Sequence, residues 1–248
     1  MKTPSLQHYD EFKQILNSYE ASPEARRDLR GFELVLMLAP SSTGRNTIIR
    51  ELVKTGDYRF IISDTTRPPR VNDGILEQNG VEYWFRAEDE MLRDLKNGRL
   101  LEAELLHGQQ VSGISLRELE KAHEDKKIAI TDIDIKGMEK IVRLKPDTVA
   151  IMVLPPSFEE WQRRIINRGA IDRQEFRRRL QTAYKIFLEG QKQDYFRFII
   201  NENLQNAVTA VNELAHGAGK HPEKQKEARE LIKKLCKQTK EFLDKMGN

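Results

Sequence analysis

The sequence predicts an α/β fold: a parallel core sheet flanked by helices, with extra helices at both termini. Three observations predict it. Short apolar runs rich in β-branched residues recur at 32–38, 127–135, 147–154 and 196–201. Helical patterns fill the intervals, at about 45–54, 115–125, 136–144, 157–168, 173–190 and 203–215. The 248 residues are enough to bury a real core. Strands alternating with helices build a parallel sheet covered on both faces, and such sheets bind ligands at the carboxyl ends of their strands. The polar residues that follow each strand are therefore the informative ones.

Outside this alternation lie two terminal segments. Residues 5–20 place Leu6, Tyr9, Phe12, Leu16 and Tyr19 at helical spacing. In "SPEARRDLRG", Ser22 is the expected N-cap, Pro23 the first helical residue and Gly31 the stop. At the other end, "AHGAGKHPEK" (215–224) reads as a linker into a charged amphipathic helix with Ala228, Leu231, Leu235, Phe242 and Met246 on one face. Such a stripe is expected to dock on the core. Self-association or docking of another protein through the terminal helices is the alternative.

Composition excludes some classes. Lys and Arg number 42 against 39 Asp and Glu, a net charge of +3, so no polyanion partner is implied. Mean hydropathy is −0.65 and no apolar run is long enough to cross a bilayer, so no membrane partner is expected. "MKTPSLQHYDEF" has no apolar signal core, and the one cysteine, Cys236, is expected to be buried on a helix stripe. These features fit a cytoplasmic location.

The chemistry-bearing motifs follow the strands. "LMLAPSSTGRNTIIREL" (36–52) sits where a strand runs into a helix, the setting of a phosphate-binding loop of pattern G-x-x-x-x-G-K-[ST]. Gly44 remains, while Ala39, Arg45 and Asn46 replace the first Gly, the Lys and the Ser/Thr. "SDTTRPPR" carries Arg67 and Arg70 around a stiff Pro-Pro, either a phosphate clamp or a solvated turn. Tyr83 in "NGVEYWF" either offers its hydroxyl to the same phosphate or packs with its aromatic neighbours. Glu102 and Glu104 share a strand face; a carboxylate there accepts from the ring N–H and exocyclic amine of guanine, or simply faces solvent. Asp132 and Asp134 close an apolar strand, where a metal-bound water is commonly held. Residues 154–180 carry seven arginines. They form a solvated face, an RNA-binding stripe or a mobile lid over transferring phosphates. With only Trp161 and Phe176 interleaved, nucleic-acid binding is not expected.

In this order, the motifs resemble the guanylate kinase family over residues 32–214. S-x-T-T-R-x-P-R stands intact as Ser63, Thr65, Thr66, Arg67, Pro69 and Arg70. G-x-D-Y-x-F stands as Gly80, Glu82, Tyr83 and Phe85, after a loop a few residues longer than the family's. The resemblance implies a P-loop nucleoside monophosphate kinase fold with a small NMP-binding subdomain at about 63–115 and a helical lid at about 155–180. Residues 1–31 would be an N-terminal extension, and 215–248 a linker and C-terminal helix. It implies transfer of the ATP γ-phosphoryl group to GMP or dGMP with Mg²⁺. Ser41, Ser42, Thr43, Gly44, Arg45, Asn46 and Thr47 would bind ATP. Arg67, Arg70 and Tyr83 would hold the acceptor phosphate, and Ser63, Glu102 and Asp134 would face guanine. Asn46 and Asp132 would stand at the metal, and Arg45, Arg164, Arg168 and Arg179 would stabilise the transferring charge.

Two departures stand out. In "HGQQVSGIS", Ser112 replaces a family Tyr and Ile114 a hydroxyl residue, with Ser115 one position on. In the loop, Arg45 keeps the charge in a wider, planar form, and Asn46 offers an amide oxygen. The alternative reading is a catalytically weak or inactive guanylate-kinase-like module. It would bind a nucleotide or phosphorylated peptide, as the related domains of membrane-associated scaffolds do.

Overall fold

The computed structural model describes residues 6–72, 74–167, 172–219 and 221–247. Its larger sheet has five strands, in the order Arg197–Ile200, Val149–Leu154, Leu34–Leu38, Ile128–Asp132 and Tyr58–Phe60. Leu34–Leu38 pairs in parallel with Val149–Leu154, which pairs in parallel with Arg197–Ile200. A second sheet has four strands, ordered Trp84–Phe85, Asp64–Thr65, Gln110–Ser115 and Leu100–Leu106. A short hairpin joins Val71–Asn72 to Ile75–Leu76. The parallel sheet and its helices are the predicted α/β arrangement. The helix Arg45–Lys54 falls on the residues the sequence predicts.

The chain divides into two compact units. One comprises Met1–Glu33, Arg59–Ala129 and Glu139–Pro146; the other comprises Leu34–Tyr58, Ile130–Met138 and Asp147–Asn248. In the first unit the N-terminal segment is part of the core. Its helix, Tyr9–Leu16, is shorter than the sequence pattern. Phe12 is fully buried with Met91, Leu92, Leu95, Leu100 and Val111. Tyr19 closes the contact twice: its hydroxyl donates to Leu100 O at 2.7 Å and accepts from Leu100 N at 3.0 Å. Burial pushes the Tyr19 hydroxyl up to about 12. Ser22 caps Pro23–Asp28 as predicted, its Oγ accepting from Ala25 N at 3.1 Å.

In the second unit the C-terminal helix Pro222–Met246 docks, as the amphipathic pattern predicts. The buried stripe is Ala228, Ile232, Leu235, Cys236 and Thr239. Leu231, expected on that stripe, lies beside it, because packing follows the four-residue step from Ala228 rather than the three-residue one. Phe242 meets Phe158 and Phe176 at ring-centroid distances of 5.7 and 6.2 Å. Gln225 covers the sheet edge by taking both a donor and an acceptor of Phe198, at 2.9 and 3.0 Å. Cys236 is buried and burial pushes its thiol up. No helix among the described residues is long and apolar enough to cross a membrane.

Candidate functional site

The strand Leu34–Leu38 is buried at every position and delivers the chain to a loop at its carboxyl end. Between Ala39 and the helix Arg45–Lys54, Ser42 and Gly44 take left-handed backbone conformations, with φ of 66° and 93°. Gly44 is required there. A Cβ on it would sit 2.2 Å from Asn201 Nδ2. The loop is pinned from outside: Asn201 Nδ2 donates to Thr43 O at 2.7 Å, and Trp161 Nε1 to Ser41 O at 2.8 Å. Thr43 Oγ1 donates to Pro40 O at 3.0 Å.

These contacts frame a cavity of about 670 Å³ lined by residues 39–47 with Arg50, Arg164 and Asn167. The first N–H groups of a helix have no intrahelical acceptor, and the helix dipole favours an anion beside them. Ser42 Oγ is buried without a hydrogen-bond partner. A phosphate oxygen would satisfy it. The cavity lining carries three arginines and no carboxylate. Every loop residue expected at ATP, from Ser41 to Thr47, lines this cavity.

Arg164 is held in place. Its Nη1 donates to Asn201 O at 3.0 Å and its Nε to Glu160 Oε1 at 2.8 Å. Hydrogen bonds from Arg163 and Arg164 pull Glu160 down to about 2. Arg179 donates to Glu175 at 2.7 Å and is absent from the cavity lining; Arg178 and Arg179 pull Glu175 down to about 2. Arg168 lies outside the described residues.

The first unit holds the other cluster. In the four-stranded sheet, Phe85, Thr65, Ser112 and Glu104 are successive cross-strand partners, so they stand in one row. Glu102 pairs with Ile114 in the same two strands. Ser112 Oγ donates to Thr65 Oγ1 at 2.8 Å. Beyond that row, Arg67 is 8% exposed and makes two hydrogen bonds to the equally buried Glu77; the Nη2–Oε1 bond measures 2.9 Å. Its guanidinium lies 4.8 Å from the Tyr83 ring centroid. Arg70 is exposed; its N donates to Glu77 at 2.9 Å and its Nη2 to Gln110 Oε1 at 3.1 Å. Ser63 stands half-buried at the start of the Asp64–Thr65 strand. Ser115 is committed elsewhere: it is 3% exposed and caps the Leu116–Glu124 helix through Arg117 N. It therefore does not stand in for the hydroxyl lost at Ile114.

The guanylate kinase family model matches residues 32–217. The chain is 34% identical over 186 residues to a guanylate kinase of Clostridium perfringens, covering 75% of this chain and 82% of that one. It is 33% identical to a guanylate kinase of Thermotoga maritima, over 72% of this chain and 84% of that one. The crystal structure of the Anaplasma phagocytophilum guanylate kinase superposes with a TM-score of 0.54 at 22% identity, covering 82% and 88% of the two chains. This chain belongs to the guanylate kinase family. The family model spans the residues of both clusters.

The family resemblance implies Mg²⁺ at Asn46 and Asp132. Arg45 already engages both. Its Nη2 pairs with Asp132 Oδ2, and its Nε donates to Asn46 Oδ1 at 3.0 Å. A metal ion there would have to displace a guanidinium that already supplies the positive charge. As they stand, the residues do not fit a resident metal. Asp134 accepts from Gly137 N at 2.8 Å, at the start of the Ile135–Leu144 helix, in the second unit.

Sequence reasoning missed Asn201, Glu77 and Arg50. Asn201 had a readable signal: it is the polar residue closing the strand "FRFIIN", the same position in its strand that made Asp132 conspicuous. Glu77 lies in the lengthened loop, outside both signatures, where no pattern marks it. Arg50 is one turn into a helix whose polar face is otherwise unremarkable.

Proposed function

We propose that the chain is a phosphotransferase of guanylate kinase type, moving the γ-phosphoryl group of ATP to GMP or dGMP. One observation carries this reading: the intact acceptor signature contains an arginine, Arg67, that is buried, oriented by Glu77 and backed by Tyr83. A guanidinium fixed in this way is preorganised for a phosphate. In this proposal Arg67, Arg70 and Tyr83 hold the acceptor phosphate, and Glu102 with Ser63 and Asp134 reads guanine. Residues 63–115 form the acceptor subdomain and 155–180 the lid. The loop Ser41–Thr47 cradles the ATP phosphates. Arg45, Arg164, Arg168 and Arg179 counter the charge spread over the transferring group. Phosphoryl transfer asks little covalent work of a protein, so positioning and cationic stabilisation are the contributions required.

A second reading is supported by the engagement of Asn46 and Asp132 by Arg45. In it the chain binds a nucleotide or a phosphorylated peptide and turns over slowly or not at all. A coupled assay separates the two. Purified protein, ATP and Mg²⁺ are mixed in turn with GMP, dGMP, IMP and AMP, and ADP formation is followed. Turnover with GMP and dGMP supports the kinase. Turnover with AMP alone discards the guanine assignment. No turnover, with GMP binding retained, favours the binding module.

A further inference from the structure

The cavity around the loop has an unusual charge make-up for a site expected to take a metal–nucleotide complex. Three guanidinium groups line it, from Arg45, Arg50 and Arg164, and no carboxylate does. Arg45 spans the two positions where metal ligands are expected, bonding Asp132 through Nη2 and Asn46 through Nε. A guanidinium has five N–H donors, so this bridge leaves the Nη1 edge for a further acceptor. Arg50 makes no ion pair among the described residues, so its charge is not neutralised within the cavity.

We propose that this loop takes a nucleoside triphosphate free of metal, with the Arg45 guanidinium as the built-in cation between Asn46 and Asp132. The inference rests on the reading of residues 39–47 as the donor-phosphate site and deepens it. The physical reason is charge balance. A metal-free triphosphate carries more negative charge than its Mg²⁺ complex. Among the described residues, Arg45 and Arg164 are each paired with a carboxylate behind the lining, Arg50 is not, and the lining itself offers no carboxylate to a metal, so the cavity favours the more negative ligand. Bringing Mg²⁺ into the Arg45 position sets two cations against each other in one small space, and like charges so close are strongly unfavourable. The planar fork of Arg45 also suits phosphate oxygens geometrically, whereas a compact Lys leaves room for a metal beside it.

The test is calorimetric titration of ATP into the full chain, once in EDTA and once in excess MgCl₂. The expected result is an affinity in EDTA equal to or greater than that in MgCl₂. The Arg45→Lys/Asn46→Ser double variant is expected to invert the order, binding at least tenfold tighter in MgCl₂. If the unsubstituted chain binds tighter in MgCl₂, Arg45 yields to the metal and this proposal is overturned while the kinase reading stands. Absence of ATP binding in both conditions overturns the donor-site reading along with it. The measurement on the unsubstituted chain decides the matter even if the double variant does not fold.

Discussion

Two regions of this chain hold conspicuous arginines, and they hold them differently. Arg67 is nearly buried, doubly bonded to Glu77 and stacked beside Tyr83, in a segment whose family signature is intact. Arg45 is half-buried, reaches across to Asp132 and Asn46, and sits in a loop that has lost three of its four motif residues. A buried pair with its hydrogen bonds satisfied fixes a side chain's direction, because either partner alone would be an uncompensated charge. A half-exposed pair is weakened by solvent and can be exchanged for a ligand. The comparison separates a buried guanidinium fixed in advance from one that bridges two polar side chains beside its loop; in the proposed kinase these are the acceptor clamp and the donor loop.

The largest effect should come from cutting the built-in clamp. Arg67→Ala leaves Glu77 charged and buried, and is expected to cost about 3–5 kcal/mol of stability by urea unfolding, with GMP binding lost. Arg70→Ala is the contrast: Arg70 is exposed, so stability should hold within about 0.5 kcal/mol while GMP binding weakens roughly tenfold. Equal stability losses in the two variants would erase the distinction between clamp and turn. Next is Arg164→Ala on the donor side. It should lower kcat by roughly 10²–10³-fold and leave GMP affinity unchanged, since Arg164 lines the loop cavity. Unchanged kcat would remove Arg164 from the catalytic set.

Smaller effects test the supports. Tyr19→Phe strips Leu100 of both its hydroxyl contacts and should cost about 1–3 kcal/mol, read by the same unfolding experiment. Glu160 should titrate near 2 by carboxyl NMR rather than near its ordinary 4.5. Its folded value is depressed, so its hold on Arg164 is complete above the ordinary carboxylate range and is lost as pH falls towards 2. A midpoint near 4.5 would show that the bonds to Arg163 and Arg164 do not persist in solution.

Much of this was legible in the residues. The alternation of β-branched runs with 3.6-residue patterns marked the sheet and its helices because buried parallel strands have to be apolar on both faces. Ser22 and Pro23 announced their helix because capping is local chemistry. The loop Ser41–Thr47 was visible from the strand before it and the glycine within it. What was not legible depends on distant partners. Nothing near Glu77 says that it will meet Arg67, and nothing near Arg45 says that Asp132, 87 residues on, will hold it. The stripe of the last helix was misread at Leu231 because spacings of three and four both satisfy a helical period, and only the opposing surface chooses between them.

The most direct test of the contrast between the two regions is GMP-dependent ADP formation by the Arg45→Lys/Asn46→Ser protein in Mg²⁺, against the unsubstituted chain. If the acceptor clamp is intact and the donor loop is the altered half, restoring a compact cation and a hydroxyl should raise kcat at least tenfold with little change in KM for GMP. Turnover that stays level or falls, in a folded variant that still binds GMP, would contradict that account.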